Sequence, residues 1–347
     1  MFFPTDTLRA QQELSSEEIR AAADALLNEE IPVAAKADFL RAFSGKGETP
    51  LEIAGFVEAF LERAIDPGLQ PGALSGPMLD VCGTGGDKLQ LFNVSTTVMF
   101  VAAAAGAVVV KHGNRGITSR SGGADVLEAL GIRIDLPPER FRECVRRTGL
   151  GFLFAPAYHP AFKVIAPVRQ ELAREGTRTI FNLLGPLLNP ARPAHQLVGV
   201  FSLALPPVFA EILARLGRVS AWAVHGTTAE GGSMDELSTL GPNLVCSVKT
   251  GAPVQRETVH PEELGLPGAE LEDLRGGDAS ENAVILTGIL DGGDRGPRRD
   301  LVLLNAGASL VVAGLAAGLS QGIALAREQI ESGAALRKLY ELRQAAG

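Results

Sequence analysis

A glycine-rich turn directly after an apolar stretch is the first segment whose residue types could do chemistry. The run GTGGD, with Gly83, Gly86 and Asp87, follows the apolar stretch MLDVC. Glycines after a strand let backbone N–H groups approach an anion closely, and the N-terminus of a following helix adds positive potential. The next apolar stretch opens with the run NVST, which is Asn93, Val94, Ser95 and Thr96. These residues predict a phosphate-binding turn, and a tight turn followed by a helix cap is the alternative.

The same turn departs from the dinucleotide-binding fingerprint G-x-G-x-x-G. Gly83 and Gly85 fit the first two glycine positions, but Lys88 stands where the third glycine belongs. No acidic residue ends a following strand at the usual distance either. The glycines therefore indicate a phosphate site that is not part of a dinucleotide-binding fold.

A second loop, residues 111–123, combines positive charge, hydrogen-bonding side chains and glycine. Its sequence KHGNRGITSRSGG holds three cations, four hydroxyl or amide side chains and four glycines. A solvated loop rarely combines so many glycines with so many groups able to hold phosphate, so the segment favours a polyphosphate site. The candidate contacts are Lys111, His112, Gly113, Asn114, Arg115, Gly116, Thr118, Ser119 and Gly123.

Two further patterns suggest a cation site and an anion-binding arginine. Asp235 and Glu236 are adjacent in the run MDELS, and neighbours in sequence usually point different ways, which suits general acid–base catalysis poorly. Mg²⁺, by contrast, takes one or two carboxylates together with water and substrate phosphate oxygens. Arg169 could pair with a substrate carboxylate through two hydrogen bonds. Viewed alone, the acidic pair fits a surface loop equally well, and Arg169 fits a surface ion pair.

Composition excludes several classes of protein. The 347 residues are 46% hydrophobic, which excludes a disordered chain, and the net charge of −8 argues against a nucleic-acid binder. The three cysteines have no metal-ligand spacing. The start of the chain lacks the apolar core of a signal peptide, and the longest apolar run, 97–110, is too short to span a membrane. We expect a cytoplasmic protein with no membrane or nucleic-acid partner.

The elements that must position these residues change in type along the chain. Residues 13–65 predict three amphipathic helices, and 66–77, rich in proline and glycine, predicts a linker. Buried strands are predicted at MLDVCG, AVVVKHG, AWAVHG (221–226) and NLVCSV (243–248). Helices are predicted near 96–105, 123–130, 138–148, 206–216 and 320–345. This alternation predicts an α/β fold with a central, largely parallel sheet.

These elements divide the chain into two expected domains. A helical domain covers residues 1–75 and is joined by helices near 160–190, and an α/β domain covers residues 76–347. The apolar faces of the first three helices exceed what they can bury among themselves, so we expect the helical domain to pair with a second subunit. His195 and His260 fall in loop-like sequence and are expected to be structural or solvated.

Six motifs, in this order, resemble those of the anthranilate phosphoribosyltransferases: GTGGD, NVST, KHGNR, SGGADVLEALG, RTIFNLLGPLLNP and MDELS. Each motif is weak alone, but six in order are specific, and the likeness runs from about residue 46 to residue 310. The resemblance implies a homodimer with the fold shared by pyrimidine nucleoside phosphorylases. It also implies transfer of phosphoribose from 5-phosphoribosyl 1-diphosphate to anthranilate, in tryptophan biosynthesis, with two Mg²⁺ ions per subunit.

The resemblance further implies a role for individual residues. The diphosphate and ribose would contact Gly83, Gly86, Asp87, Asn93, Ser95 and Thr96. Lys111 and the loop up to Ser119 would cover the donor. Anthranilate would be held by Asn114 and Arg169, in a channel lined by His159. The magnesium ligands would be Ser95, Asp235 and Glu236, with Glu236 bridging both ions.

Three positions near the donor depart from the family pattern. Lys88 replaces a glycine, Leu91 stands where a small hydroxyl residue is usual, and Gly123 replaces a serine that contacts the donor. Each hydrogen bond that is not replaced would weaken donor binding by about 0.5–1.5 kcal/mol. The alternatives are therefore a transferase or phosphorylase of the same fold with another aromatic acceptor, and a non-catalytic relative that binds nucleic acid.

Overall fold

A helical unit opens the chain. The computed structural model describes residues 3–87, 89–116 and 120–347. Its first helices are α1 Thr5–Arg9, α2 Ser16–Leu27, α3 Val33–Lys46 and α4 Pro50–Leu61. Helices α2 and α4 begin at capping boxes, in which Ser15 or Thr49 exchanges hydrogen bonds with a glutamate three residues later. The three helices predicted over 13–65 are confirmed, and residues 66–77 contain only the short 3-10 turn Pro71–Ala73.

One sheet, eight-stranded over the described residues, forms the centre of the rest of the chain. Its strands are β1 Met78–Gly83, β2 Val108–Gly113, β3 Leu150–Phe154, β4 His195–Gly199, β5 Ser220–Thr227, β6 Ser233–Met234, β7 Asn243–Lys249 and β8 Gln255–Val259. The order across the sheet is β3-β2-β1-β4-β5-β7-β8, with β6 paired to β5. The neighbours from β3 to β5 are parallel, whereas β6, β7 and β8 pair antiparallel. The predicted, largely parallel sheet is confirmed.

Helices cover the sheet and connect its strands. They are α5 Val94–Ala104, α6 Gly123–Ala129, α7 Pro138–Thr148, α8 Ala155–Tyr158, α9 Ala166–Arg174, α10 Leu205–Arg215, α11 Ala279–Leu290, α12 Pro297–Val312, α13 Leu319–Glu331 and α14 Ala334–Ala346. Further 3-10 turns span Pro160–Ile165, Ile180–Asn182, Gly185–Leu187, Pro261–Leu264 and Leu271–Leu274. No described helix combines the length and the apolar character that crossing a bilayer requires.

The sheet separates two apolar clusters. On β4, Leu197 belongs to the cluster with α5, α12 and α14, whereas the next residue, Val198, belongs to the cluster with α2, α3 and α4. The same alternation holds for Trp222 and Ala223 on β5. Successive side chains of a strand point to opposite faces, so the clusters lie on the two faces of the sheet. The helical unit therefore shares its core with one face of the sheet.

Three expectations from the sequence need correction. His195 is the first residue of β4 rather than part of a loop, and its Nδ1 lies 2.9 Å from the carbonyl oxygen of Val312. The helix predicted over 320–345 is two helices, because Gly333 adopts a left-handed φ of 70° between them. The apolar faces of α3 and α4 pack against α9 and α10 of the same chain, so surplus apolar surface is not by itself an argument for a second subunit.

Candidate active site

The candidate residues converge where the parallel strands end. β1 ends at Gly83, the first residue of the GTGGD turn, and β2 ends at Gly113, the third residue of the segment 111–123 that is also predicted to bind phosphate. β4 ends next to them at Gly199, paired with Gly83. The carboxyl ends of parallel strands meet at one edge of a sheet, which is where ligands of open α/β sheets bind. The topology thus brings segments far apart in sequence to one edge.

The carboxylate pair lies against three glycines that leave room for its backbone. A Cβ on Gly199 would lie 1.6 Å from the carbonyl oxygen of Asp235, and a Cβ on Gly226 would lie 2.4 Å from that of Glu236. A Cβ on Gly83 would lie 2.8 Å from Oδ2 of Asp235. Residues 234–238 can therefore cross the ends of β1, β4 and β5 only because these positions carry no side chain.

Two buried asparagines hold the other side of that segment. Asn305 of α12 donates to the carbonyl of Leu237 at 2.8 Å and accepts from its N–H at 2.9 Å. Asn243 of β7 accepts from the N–H of Ser238 at 2.6 Å and donates to its carbonyl at 2.9 Å. Because both amides satisfy a backbone donor and a backbone acceptor, the segment is fixed in place without being part of a helix or a long strand.

The GTGGD turn contacts the carboxylate pair directly. The N–H of Gly85 donates to Oδ2 of Asp235 at 2.5 Å, and the hydroxyl of Thr84 lies 3.5 Å from the same oxygen. Gly85 and Gly86 have φ angles of 65° and 131°, which favour glycine. Asp87 follows, and its Oδ1 accepts from the N–H of Leu89 at 3.1 Å. The first predicted motif and the acidic pair therefore form one site.

Burial and neighbouring negative charge raise the pKa of both Asp235 and Glu236. The pKa of Asp235 is raised well above its ordinary value, first by burial and then by the negative charges of Asp87 and Glu236. Burial raises the pKa of Glu236 to about 7, an effect that Asp87 adds to and Lys111 opposes. Such mutual repulsion is what a bound cation relieves. These oxygen atoms are also the ligands that Mg²⁺ prefers, so the residues present fit the metal.

The acidic group is not a complete metal site by itself. Among residues 3–87, 89–116 and 120–347, no three His, Cys, Asp or Glu side chains are grouped closely enough to hold a metal. Mg²⁺ usually keeps several waters and binds through one or two carboxylates plus substrate phosphates. The arrangement therefore suits a metal that arrives with, or is completed by, an oxygen-rich ligand.

Lys111 supplies the buried positive charge of the site. Its side chain is 5% exposed, and Nζ donates to Oγ of Ser95 at 3.0 Å and to the carbonyl oxygen of Val81. Asp80 of β1 lies nearby, and Lys111 lessens the rise in the pKa of Asp80 that burial causes. The structure thus brings Lys111 and Ser95, which the sequence placed in two separate candidate phosphate-binding segments, into direct contact.

The N-terminus of α5 faces the site without a side-chain cap. Asn93 occupies the cap position but makes no capping hydrogen bond. Its Oδ1 instead accepts from Nδ2 of Asn282 at 2.8 Å, and its Nδ2 donates to the carbonyl of Ser121 at 3.3 Å. The N–H of Ser95 lowers the pKa of Glu236, so the carboxylate lies near this helix start. Val94 and Thr96 are buried beneath it.

The segment before α5 is held by residues that the sequence analysis did not single out. Leu91 forms an isolated antiparallel bridge with Arg275, and the N–H of Phe92 donates to the carbonyl of Leu274 at 3.3 Å. Gly276 donates to the carbonyl of Gln90 at 2.9 Å. Leu91 therefore contributes backbone pairing at this position, where the resemblance led us to expect a small hydroxyl residue.

The carboxylate of Asp125 connects the two sides of the second loop. Oδ2 of Asp125 accepts from the N–H groups of both Gly116 and Gly122, each at 2.8 Å. Oδ1 of Asn114 accepts from the N–H of Arg115 at 2.8 Å. A Cβ on Gly123 would lie 3.0 Å from Oγ1 of Thr96, which brings this loop end to α5. The candidates Thr118 and Ser119, and also Lys88, lie outside the described residues.

Arg115 differs from the other candidate phosphate contacts because its side chain is already paired with carboxylates of the same chain. Its guanidinium pairs with Glu128 at 2.7 Å and lies 3.7 Å from Asp125. The same group lies over the ring of Phe154, at 5.0 Å from the centroid. These partners already occupy the arginine, so a role in phosphate binding would require it to leave them.

A line of aromatic rings leads from the phosphate loop to the candidate acceptor arginine. The rings of His112 and His159 are 5.2 Å apart, and Phe162 lies 5.2 Å beyond His159. Phe162 contacts Phe181 at 6.0 Å, and the guanidinium of Arg169 lies 5.7 Å from the Phe181 ring centroid. None of the described residues forms an ion pair with Arg169. A row of aromatic rings that ends at a guanidinium without an ion-pair partner among the described residues fits the recognition of an aromatic carboxylate.

The sequence did not reveal the residues that support the site from positions far away along the chain. These are Asp80, Gly199, Gly226, Asn243, Asn282 and Asn305. For Asn282 a signal existed, because the run GGDASEN combines two glycines with an Asp-x-x-Glu capping box. For Asn305 the only signal was a polar residue within an apolar helix.

Comparisons with known proteins agree with this geometry. Two models of the glycosyl transferase family match the chain, the helical bundle domain over residues 5–64 and the a/b domain over residues 75–336. Anthranilate phosphoribosyltransferase of Chloroflexus aggregans is 46% identical over 333 residues, covering 96% of this chain and 94% of that protein. The enzyme of Anaeromyxobacter dehalogenans strain 2CP-C is 50% identical over 304 residues, covering 88% and 86%.

Solved structures show the same relationship. The anthranilate phosphoribosyltransferase of Thermus thermophilus has a TM-score of 0.88 and 42% identity, covering 99% of this chain and 98% of that one. The Saccharomyces cerevisiae enzyme in complex with 5-phosphoribosyl 1-diphosphate and Mg has a TM-score of 0.86 and 28% identity, covering 99% and 96%. With both family models matched and the relatives aligned over most of their length, the chain belongs to the anthranilate phosphoribosyltransferase family.

Proposed function

We propose that the reaction of this family takes place at the edge of the sheet where β1, β2, β4 and β5 end. The reaction is the transfer of phosphoribose from 5-phosphoribosyl 1-diphosphate to the amino group of anthranilate, with release of diphosphate, in tryptophan biosynthesis. The observation that carries the assignment is the contact between the GTGGD turn and Asp235, through the N–H of Gly85. It joins a phosphate-binding turn to an acidic pair, and Lys111 lies beside them.

In this site the chain's residues act by holding and orienting charge. Breaking the bond between C1 of the ribose and the diphosphate oxygen leaves negative charge on the diphosphate. Lys111 and the backbone N–H groups of the GTGGD turn and of α5 are placed to stabilise that charge. The aromatic amine of anthranilate is neutral near pH 7 and attacks without prior deprotonation. Positioning of the amine against C1 contributes the rest, so no catalytic base is assigned.

We assign the metal site to Ser95, Asp235 and Glu236. Neighbouring structures of this family carry Mg, and burial together with the charge of Asp87 raises the pKa of Asp235 and Glu236, an effect that a cation would relieve. When bound, Mg²⁺ supplies charge neutralisation for the diphosphate. The two ions per subunit implied by the resemblance are part of this proposal, and Glu236 would be a ligand of both.

The donor and acceptor are assigned to the two ends of the aromatic line. Phosphate groups of the donor would lie at the GTGGD turn, at α5 and at the loop after β2. The acceptor carboxylate would lie at Arg169, with Asn114 and His159 beside the ring. A structure of the Saccharomyces cerevisiae enzyme holds 4-fluoroanthranilate, which has the same carboxylate and amine. The free guanidinium next to Phe181 supports this end of the assignment.

Three broader expectations are also kept as proposals. We infer a homodimer formed through the helical unit. Val33 and Leu51, on α3 and α4, stay exposed after these helices have packed against α9 and α10, which supports the inference. Light scattering of the purified protein would test it. We place the boundary between the helical and α/β domains near residue 75, after the linker. The three cysteines are free and buried, which supports the expected cytoplasmic location.

The decisive experiment follows the loss of anthranilate fluorescence in the presence of 5-phosphoribosyl 1-diphosphate, with and without Mg²⁺. We expect metal-dependent consumption. Glu236→Gln should lower kcat/KM by about 100-fold, because it removes one buried charge from the metal site. Arg169→Ala should raise the KM for anthranilate by about 10- to 100-fold, because it removes a charge-assisted pair.

Matched control variants separate these effects from general damage. Arg174 lies on the same helix as Arg169, and Glu230 lies in the loop before Asp235; both are exposed. Arg174→Ala and Glu230→Gln should leave the rate unchanged. If folded wild-type protein consumes no anthranilate but accepts another aromatic acid or base, the same-fold alternative replaces this proposal. Tight retention on a heparin column at low salt would support the nucleic-acid-binding alternative.

A further inference from the structure

Asn93, directly before α5, has a side-chain amide that can face the site in either of two orientations. Asn93 contributes one carbonyl oxygen and one NH₂ group, and only the NH₂ group can donate to an anion. Which of the two faces the site depends on the hydrogen bonds around the side chain. This inference depends on the proposed function, since it concerns a residue assigned to the phosphoribosyl donor.

Asn282 determines that orientation. It is 2% exposed and lies near the start of α11. Its Oδ1 accepts from the N–H of Gly277 at 2.8 Å, which leaves its Nδ2 as the group directed at Asn93. Nδ2 then donates to Oδ1 of Asn93 at 2.8 Å. Because an NH₂ group can only donate, the oxygen of Asn93 must face Asn282 and its NH₂ group must face away.

The outward NH₂ group of Asn93 is left with donor capacity. Among the described residues, the group donates only to the carbonyl of Ser121, at 3.3 Å. The NH₂ group carries two hydrogens, so one remains for a ligand oxygen. It lies at the start of α5, beside Ser95 and Lys111, where the phosphates of the donor are assigned. An Asn93 turned by 180° would present its oxygen there and repel an anion.

We propose that Asn282 is a positioning residue for the phosphoribosyl donor, which it serves by fixing the amide of Asn93 with its NH₂ group towards the phosphates. Asn282 itself contacts no substrate. The tight packing around it supports a fixed geometry, since a Cβ on Gly276 would lie 2.6 Å from Oδ1 of Asn282 and 2.7 Å from the nitrogen of Phe92. The segment 274–282 would thus affect the affinity for the donor through the Asn282 side chain, which orients Asn93.

The test uses Asn282→Asp in the full-length protein. The carboxylate still accepts from Gly277 but places an acceptor against Oδ1 of Asn93, so the Asn93 amide turns over. We expect the Kd for 5-phosphoribosyl 1-diphosphate with Mg²⁺, measured by calorimetry, to rise about 10- to 100-fold, the loss typical of a hydrogen bond to a charged group. The KM for anthranilate should not change. If Asn282→Asp does not fold, Asn282→Ala is measured in the same way, and we expect a smaller rise in the Kd for the donor.

A double-mutant cycle separates positioning from a merely structural role. In the Asn93→Ala background there is no amide to orient, so Asn282→Asp should weaken donor binding no further. Asp278→Ala removes the side-chain cap of the same helix without touching Asn93, and it should leave donor affinity unchanged. Equal donor affinity of Asn282→Asp and wild type, or additive losses in the cycle, would overturn the inference. Wild-type protein that neither binds the donor nor consumes anthranilate would overturn the proposed function as well.

Discussion

The ring of His112 lies where protonation is disfavoured. It is 9% exposed, and its Nε2 has no hydrogen-bond partner among the described residues. Burial and the neighbouring His159 lower the pKa of His112 to about 3. An unfolded histidine has a pKa near 6.5. As the pH falls below about 6.5, the unfolded chain therefore takes up a proton that the folded chain resists, and folding stability is lost down to about pH 3.

Replacing His112 should make stability less sensitive to acid. The glutamine of His112→Gln cannot titrate. Between pH 7.5 and pH 4.5, we therefore expect the unfolding free energy of this variant to fall by about 1–3 kcal/mol less than that of the wild type. Urea unfolding at both pH values measures this difference. The matched control is His260→Gln, since the side chain of His260 is 41% exposed. Equal acid sensitivity of wild type and His112→Gln would contradict the buried, neutral ring.

At the scale of single residues, the sequence predicted those that lie within continuous motifs. The GTGGD turn, Lys111, Ser95 and the acidic pair were each predicted from a short motif, and the fold brings them together. Asn282 and Asn305 could not be predicted in the same way, because each acts on a backbone or amide group far away in sequence. Arg115 carried the right charge for phosphate, but its partner Glu128 is set by the register of α6 rather than by the motif.

At the scale of elements, Arg41 ties the helical unit to the helix that carries Arg169. Its guanidinium makes two hydrogen bonds to Glu175, at 2.9 and 2.7 Å, and one to Glu171 at 3.0 Å. Asp38 accepts a fourth at 2.8 Å. Single exposed ion pairs contribute little, but a guanidinium with this many fixed partners orients the element it contacts. The position of α9 therefore depends on a residue of α3.

Arg41→Ala should affect the acceptor and not the donor. We expect the KM for anthranilate to rise about 2- to 5-fold, with the KM for 5-phosphoribosyl 1-diphosphate unchanged, because an exposed network of ion pairs orients α9 only weakly. Steady-state kinetics with each substrate varied in turn measures both constants. Arg215→Ala removes a comparable exposed pair with Glu211 on α10 and serves as the control. Equal changes in both KM values would mean that Arg41 supports the fold in general.

Elements with a strong local pattern were predicted, and those defined by distant partners were not. The four strands predicted at β1, β2, β5 and β7 are apolar runs bounded by turns. β8 has four exposed residues before Val259, and only its pairing with β7 makes it a strand. β4 begins with a histidine and a glutamine whose burial depends on neighbours across the sheet. Such strands exist because of long-range pairing, which a local pattern does not reveal.

At the scale of the whole molecule, the helical unit and the sheet share one core. Phe60 of α4 is fully buried and contacts Phe162 at 5.1 Å and Phe181 at 5.9 Å. Through this cluster it packs with β4 and β5 on one face of the sheet. Trp222, the only tryptophan in the sequence, belongs to the cluster on the opposite face. We therefore expect the chain to unfold as one unit.

Phe60→Ala should lower the stability of both faces together. Removal of a buried aromatic ring costs about 3–5 kcal/mol. In urea, the midpoint by far-UV circular dichroism and the midpoint by Trp222 fluorescence should fall by the same amount. Val284→Ala, at a position that is 73% exposed, should shift neither. A shifted dichroism midpoint with an unchanged fluorescence midpoint would mean that the two faces unfold independently.

The three glycines beneath the acidic pair have a consequence for how the gene tolerates mutation. Gly199 and Gly226 have no assigned ligand contact, and Gly83 can offer a ligand only its backbone, yet a side chain at any of the three would displace the backbone or carboxylate of residues 235–236. In a saturation-mutagenesis screen for growth without tryptophan, these codons should tolerate no replacement, as strictly as the codons for the carboxylates. A search for side chains that contact the ligand would overlook all three. Selection should therefore retain the glycines at these positions as strictly as it retains the charged residues of the site.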